Sequence, residues 1–391
     1  MDPVGSIFLI LKGETDVKLV RKVQFFFINL IGYIYVPMLY LYAWFFGELR
    51  HLNREGLFVW LKAMLKVLSD YCKAAYNFRI HQVIRTFALS KIEIIKKTAV
   101  KDCPTPIVVL CVKNDISRIM MLVNHYRECG IERFAILDNY SDDGTYEWLE
   151  KQHDVDLYRT KEKYQTAVKE GWINRLVSHY GFDRWYIITD SDELLTWIGM
   201  ESHNINEVIT YAEKNGIKRF KGLTLDTYTR AEVYQETSDI KKDYRYIDTD
   251  SYWEKEIPAG TKFIKQYYGG PRNRLMGVIV PLSKYPLSYF EKGTVSVSAH
   301  YLFPVETEKI ERCYIGILHY KFIDKDLDEF RKRANNDSGF SSNGRHYKKI
   351  VEYFEGSGQR SFMYDGSLEL KSSMDLSNVM YIEEIAFNEN D

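Results

Sequence analysis

The chain has no surplus of either charge. Its 53 Lys and Arg stand against 54 Asp and Glu in 391 residues, which excludes the chain-wide basic footprint of a nucleic-acid binder and makes charge a local matter. Cysteine is scarce. Cys72, Cys103, Cys111, Cys129 and Cys313 are odd in number and scattered, with no CxxC or CxxxC spacing; a thiolate metal site and a disulfide framework are both disfavoured, leaving reduced, structural thiols. No small-residue cleavage pattern follows the long apolar run near the start, which argues against a signal peptide. What the chain has in quantity is aromatic side chains: 30 Tyr, 21 Phe and 7 Trp, more than packing alone asks for. Its length suits one large domain plus an appendage.

That apolar run, VQFFFINLIGYIYVPMLYLYAWFFG, covers residues 23–47 without a charge. It exceeds the roughly 20 residues that span a bilayer. Gln24, Asn29 and Pro37 interrupt it, and its aromatic residues lie along its length rather than in terminal belts. It is read as a membrane span or re-entrant anchor, the alternative being a buried or partner-packing helix. Residues 48–102 hold eleven Lys and Arg against five acids in amphipathic pieces such as GLFVWLKAMLKVL. They suit an anionic membrane face or a solvated helical linker equally. Lysine and arginine flank the run evenly, so the positive-inside rule gives no orientation; the wider basic stretch favours a carboxyl-terminal domain in the cytoplasm.

After Pro104 and Pro106 the pattern becomes α/β. IVVLCV at 107–112 reads as a buried parallel strand. A helix follows from Ile116, its apolar face carrying Ile119, Met120, Val123 and Tyr126, and Gly130 closes it. Next come a strand at 134–137, a short helix from Thr145, a strand at 155–158, a helix with Tyr164, Val168, Trp172 and Leu176 that Gly181 ends, and a strand at 185–189. Such βαβα order predicts a mostly parallel sheet flanked by helices, with ligands at the carboxyl ends of its strands. Three regions result: a helical, hydrophobic appendage at 1–103, an α/β half at 104–220, and a less regular part at 221–391 that completes the same domain.

Two constellations stand at strand ends. Asp138-Asn139-Tyr140-Ser141-Asp142-Asp143-Gly144-Thr145 makes a tight strand-to-helix turn through short polar side chains and a glycine. An acid at the end of a parallel strand also accepts hydrogen bonds from a base or ribose lying over the sheet. The second is Asp190-Ser191-Asp192-Glu193 after WYIIT. Strand alternation would put Asp190 and Asp192 on one face and Ser191 and Glu193 on the other. Two carboxylates on one face suit Mg2+ or Mn2+, with waters and diphosphate oxygens as the remaining ligands; the plain alternative is a polar turn.

Together, a strand ending VKND, a second ending ILDNYSDDGT and, about fifty residues on, one ending TDSDE resemble the family 2-like glycosyltransferases of GT-A fold. The resemblance covers roughly residues 105–195. It implies that Asp138, with Asn139 beside it, contacts the nucleotide base, that Asp190 and Asp192 hold metal and donor diphosphate, and that Asn114 and Asp115 line the same nucleotide-sugar pocket. LDTYT, GGPRNRLMG, SKYPLSYF and SAHYLFP resemble a bacterial subset of these enzymes linked to surface polysaccharide. The ED dipeptide that often supplies the family's catalytic acid has no counterpart here.

Asp226, an acid between apolar residues on a probable strand, is therefore the candidate general base, the alternative being a satisfied buried acid. Arg272 and Arg274, in a glycine-rich turn, are candidates to grip diphosphate or an acidic acceptor, the alternative being solvated turn residues. His300 and His319 are candidates for a late metal ligand, although a lone histidine in apolar surroundings is more often a satisfied core residue. A sugar chain on the sequon at Asn139 would obstruct this site; a second sequon stands at Asn336. The expected activity is inverting, Mn2+- or Mg2+-dependent transfer of a sugar from a nucleotide-sugar donor to a glycan or lipid-linked acceptor, inversion being implied by the resemblance. The rivals are a nucleotidyltransferase, which should carry a glycine-rich phosphate loop that VKND lacks, and a membrane-tethered binding protein without catalysis. The expected location is the cytoplasm or the cytoplasmic side of a membrane.

Overall fold

The computed structural model describes residues 77–98, 103, 105–259, 262–303, 313–335, 344–356 and 360–387. The apolar run at 23–47, the amphipathic stretch up to residue 76, Cys72 and Asn336 lie outside them. Among the described residues no helix is long and apolar enough to cross a membrane.

The first elements are α1 (Asn77–Leu89), β1 (Glu93–Lys96), β2 (Ile107–Val112), α2 (Ile116–Glu128), β3 (Phe134–Asp138), α3 (Thr145–Lys151), β4 (Val155–Arg159), α4 (Thr166–Tyr180) and β5 (Arg184–Ile188). From β2 to β5 this is the expected alternation, with ends moved by a residue or two. Glycine stops two of the helices: Gly130 has φ 90° and Gly181 φ 88°, a region that side chains with a Cβ avoid. Strands β2 and β3 are buried on both faces because helices cover both. Val108, Leu110, Phe134 and Ile136 pack with Ile119, Leu122, Val123 and Tyr126 of α2. Their alternate neighbours Ile107, Val109, Ala135 and Leu137 meet Trp172, Ile173, Leu176 and Val177 of α4. Each large apolar side chain so enclosed stabilises the fold by about 1.5–3 kcal/mol. On its outer side α4 carries α1, so closely that a Cβ at Gly171 would lie 2.4 Å from Thr86 Cβ.

The remainder comprises β6 (Glu193–Thr196), α5 (Ile205–Asn215), β7 (Arg219–Asp226), the single turn α6 (Ile240–Asp243), β8 (Tyr246–Asp248), the antiparallel pair β9 (Tyr252–Ala259) and β10 (Lys262–Gly269), α7 (Gly270–Met276), β11 (Ser283–Phe290), β12 (Val295–Ser298), β13 (Tyr301–Phe303), β14 (Ile315–His319), α8 (Asp326–Asn335), α9 (Arg345–Gly356) and β15 (Ser367–Glu369). One nine-stranded sheet runs in the order β1-β4-β3-β2-β5-β11-β7-β14-β6. The block β4-β3-β2-β5 is parallel, as is β7 with β14, while β1, β11 and β6 run antiparallel to their neighbours. The part after residue 220 supplies β11 and β14 to this same sheet, and one feature differs from the sequence reading: β1, from within the stretch assigned to the appendage, supplies the sheet's edge.

This order decides where chemistry can occur. Strands β2, β3, β5, β7 and β14 point the same way, so Asp138, Asp226 and His319, at the ends of β3, β7 and β14, come to one edge together with the loops after β2 and β5. The antiparallel β11 and β6 begin at that same edge, and they bring Ser283 and Lys284, and Glu193, to it.

Candidate active site

At the centre the chain makes a turn rather than an extended strand: the Glu193 amide donates to the Asp190 carbonyl at 3.1 Å. The turn changes which carboxylates cooperate. Strand alternation would have separated Glu193 from Asp192, whereas one ligand atom each from Asp192, Glu193 and His319 lie within 4.8 Å of one another. Asp192 is anchored by its backbone, whose carbonyl accepts from the Tyr320 amide at 2.8 Å.

From that cluster a row of charged groups runs inward. His319 Nε2 lies 3.3 Å from Asp192 Oδ2, and its Nδ1 lies 2.6 Å from Asp226 Oδ1. Asp226 Oδ2 in turn accepts from Arg272 Nε at 2.6 Å. Burial lowers the affinity of His319 for a proton, but Asp192 and Asp226 outweigh it and hold the imidazole above its ordinary range. Burial pushes the Asp226 carboxyl up, and Arg272 and His319 overcome that and hold it at about 2. Asp192 is likewise held well below the usual carboxylate range, His319 outweighing its burial.

Asp190 stands slightly apart and is the most open carboxylate here, its side chain 34% exposed. Lys169 of α4 pairs with its Oδ1, and Lys284 of β11 lies 3.6 Å from its Oδ2 while pairing with Glu193 Oε1. Burial pushes the Asp190 carboxyl up; Lys169 and then Lys284 pull it down to about 2. Both lysines lie deep, and burial lowers their hold on a proton, but the carboxylates beside them outweigh it and hold them above the ordinary lysine value.

The loops after β2 and β3 are tied to each other. Asn114, at φ 52°, exchanges hydrogen bonds with Asp142 at 2.7 and 2.9 Å, and its amide donates to Ser141 Oγ. Asp115 is buried, accepts both bonds from Arg118 Nε, pairs with Lys325 at 3.1 Å and receives the Ser191 hydroxyl. Arg118 continues to Asp326 at 2.8 Å. Asp138 is fully buried, accepting from the Ser141 amide and from Arg159 Nε at 2.9 Å. The Arg159 guanidinium lies 4.0 Å from the ring centres of both Tyr140 and Tyr146. Asn139 is buried and donates to the Thr160 and Glu162 carbonyls. A sugar chain on its Nδ2 would replace one of these two N–H donors.

Of the expected metal ligands, then, Asp192 and His319 come together, Asp190 is held by lysine, and His300 points its Nδ1 at the Ser283 carbonyl, 2.8 Å away. Of the two arginines, Arg272 reaches the site. Arg274 makes two bonds to the buried Asp248 and one to the Phe362 carbonyl, and stacks on Tyr364. Glu193, Lys169 and Lys284 were not singled out from the sequence. For Lys169 a signal existed: it shares the spacing of Trp172, Ile173 and Leu176, so it is a charge on the apolar stripe of α4.

The donor set fits a divalent ion. Two carboxylates and an imidazole are hard or borderline ligands suited to Mg2+ or Mn2+, and Asp226 on Nδ1 would fix the tautomer that leaves Nε2 free to ligate. A cleft of about 480 Å³ lies instead along β6, lined by His125, Thr196, Lys241, Leu318, Tyr320 and Lys371 among others. Leu318 and Tyr320 alternate with His319 along the chain, so this cleft opens on the other side of the strand from the carboxylate cluster, which has the stronger chemical claim.

No family model matches the chain, and no curated protein matches it. Among solved structures, a nucleotidyl transferase from Methanothermobacter thermautotroptrophicus (Mth528) is 13% identical over 38% of this chain and 70% of its own, with a TM-score of 0.20. HddC from Yersinia pseudotuberculosis is 9% identical over 57% and 91%, with a TM-score of 0.27. The same protein complexed with GMP-PN is 13% identical over 64% and 100%, with a TM-score of 0.24. Such scores carry no argument about this chain, whose site is read from its own residues.

Proposed function

We propose that the protein is a divalent-metal-dependent transferase acting on a nucleotide-activated sugar, with glycosyl transfer as the reaction. The observation that carries this is the grouping of Asp192, Glu193 and His319 at the strand ends, with Asp226 behind the imidazole. Asp192, Glu193 and His319 would hold Mn2+ or Mg2+, with Asp190 turning towards it when donor is bound. The metal would supply positive charge for the departing diphosphate. In the transfer, an acceptor hydroxyl of a glycan or lipid-linked glycan forms a bond to the anomeric carbon. The bond from that carbon to the phosphate oxygen breaks, its electron pair stays on the diphosphate, and the hydroxyl proton passes to solvent.

Asp226 suits another task than the base it resembled in sequence. Both its oxygens are bonded and it is held at about 2, so it takes up a proton poorly at neutral pH, and we assign it to orienting His319. The nucleotide would lie over the loops after β2 and β3, with Asn114 nearest solvent and Asp115 and Asp138 setting loop shape from beneath. The resemblance of ILDNYSDDGT and TDSDE to family 2-like glycosyltransferases supports glycosyl transfer within this class. Nucleotidyl transfer, which would use the same cluster, is the second reading.

The products decide. Incubation with a panel of nucleotide sugars and Mn2+ should release nucleoside diphosphate, and chelation or Asp192→Asn should abolish that release. Pyrophosphate formed from a nucleoside triphosphate and a sugar phosphate would instead assign nucleotidyl transfer. Neither product in metal-replete protein would sink both readings.

A further inference from the structure

Lys169 and Lys284 reach the site from different elements, α4 and the start of β11, and converge on one carboxylate, Asp190. Their side chains are only 11% and 13% exposed. Taking two ammonium groups out of water is costly, and apolar residues of the same size would stabilise a fold at least as well. Their placement therefore calls for a reason where they converge, at Asp190, whose side chain is 34% exposed. There the charges alternate: Lys169, Asp190, Lys284, Glu193.

We propose that Lys169 and Lys284 form a seat for a diphosphate group, and that Asp190 and Glu193 are the anions occupying it until the ligand arrives. This rests on reading the carboxylate cluster as the centre of a transferase for nucleotide-activated sugars. Glu193 belongs both to the metal cluster and to Lys284. When Glu193 and Asp190 turn to a metal ion, both lysines lose their partners, and a buried ammonium without a partner draws in another anion. Phosphate oxygens supply it, so metal and diphosphate assist each other's binding. Three cations, the metal and two ammoniums, then face the diphosphate from different sides.

The test is calorimetric titration of the full chain with inorganic pyrophosphate in the presence of Mn2+, so that Asp190 and Glu193 are drawn off the lysines. In a parallel titration in chelator those carboxylates still hold the seat, and binding should be weaker. The wild type should bind, Lys169→Met and Lys284→Met should each weaken binding by about tenfold or more, and Lys169→Arg should retain most of it. Wild type that does not bind pyrophosphate, or methionine variants that bind as wild type does, would overturn the proposal. Should a methionine variant not fold, Lys169→Gln and Lys284→Gln, which keep a polar end group without the charge, serve instead; binding equal to wild type in both would refute it. The two readings fail separately. Lysine-dependent pyrophosphate binding without turnover of any nucleotide sugar removes the transferase and keeps the seat; turnover with binding indifferent to the lysines does the reverse.

Discussion

Asp226 and Arg274 show what a single residue discloses in sequence and what it conceals. An acid inside LTLDTYT announced a special environment, yet its role depends on His319, ninety-three positions away and bonded to it. Removing that support should loosen the ring rather than the fold's main contacts: Asp226→Asn is expected to weaken Mn2+ binding by about 10- to 100-fold, measured by electron paramagnetic resonance titration. Arg272 and Arg274 were indistinguishable in GGPRNRLMG. Two positions apart on a helix they point about 160° away from each other, and one meets Asp226 while the other meets Asp248. Arg274→Met strands the fully buried Asp248 and should cost about 3 kcal/mol in urea unfolding. Its Mn2+ affinity should match wild type, and an equal loss there would place Arg274 in the site after all.

Among the elements, the strands covered by helices on both faces were legible because continuous apolar runs such as IVVLCV have few other uses. Strand β11 was not. SKYPLSYF mixes polar and apolar residues and carries Pro286 within a register shift between Lys284 and Leu287, the sort of irregularity at which a strand tolerates proline. At Asp190–Glu193 the sequence leaves a continuing strand and a polar turn both open; the chain takes the turn, and a turn changes the side on which Glu193 emerges. One contact between elements is testable directly. At Gly171, where α4 meets α1, an added Cβ would also come within 2.9 Å of the Val83 carbonyl, so Gly171→Ala should lower stability by about 1–3 kcal/mol. A thermal melt unchanged from wild type would show that α1 gives way at little cost.

For the whole molecule, acid should act through buried imidazoles before it acts through carboxylates. His125, His179 and His346 are each lowered to about 4, chiefly by burial. Between the unfolded value near 6.5 and about 4 the unfolded chain binds more protons at these sites, so stability is full above that window and falls as pH drops through it. For His125 alone the loss approaches about 3 kcal/mol. His319 runs the opposite way: its contribution is complete below about 6.5 and is lost as pH rises through its raised value. Urea midpoints measured from pH 8 to pH 4 should therefore fall most steeply below 6.5. His125→Gln, which can still donate to the Leu195 carbonyl that His125 Nε2 reaches at 2.7 Å, should flatten that fall; a slope as steep as wild type would assign it to other groups.

The place of β11 between β5 and β7 also sets an order of events during synthesis. When the ribosome has delivered residues up to about 250, β5 and β7 both exist, but the strand that joins them does not. Each then presents a row of unpaired backbone groups to whatever is near. A chain ended at residue 220 would carry the parallel block and the motifs that suggest a nucleotide site, yet it would be left with the bare flank of β5, prone to self-association. Joining through β11 requires contacts about a hundred residues apart, with Leu287 against Ile187, and such distant closure is slow. The nascent chain thus spends its most aggregation-prone interval with its recognisable half already made and the edge that carries the carboxylate cluster still open.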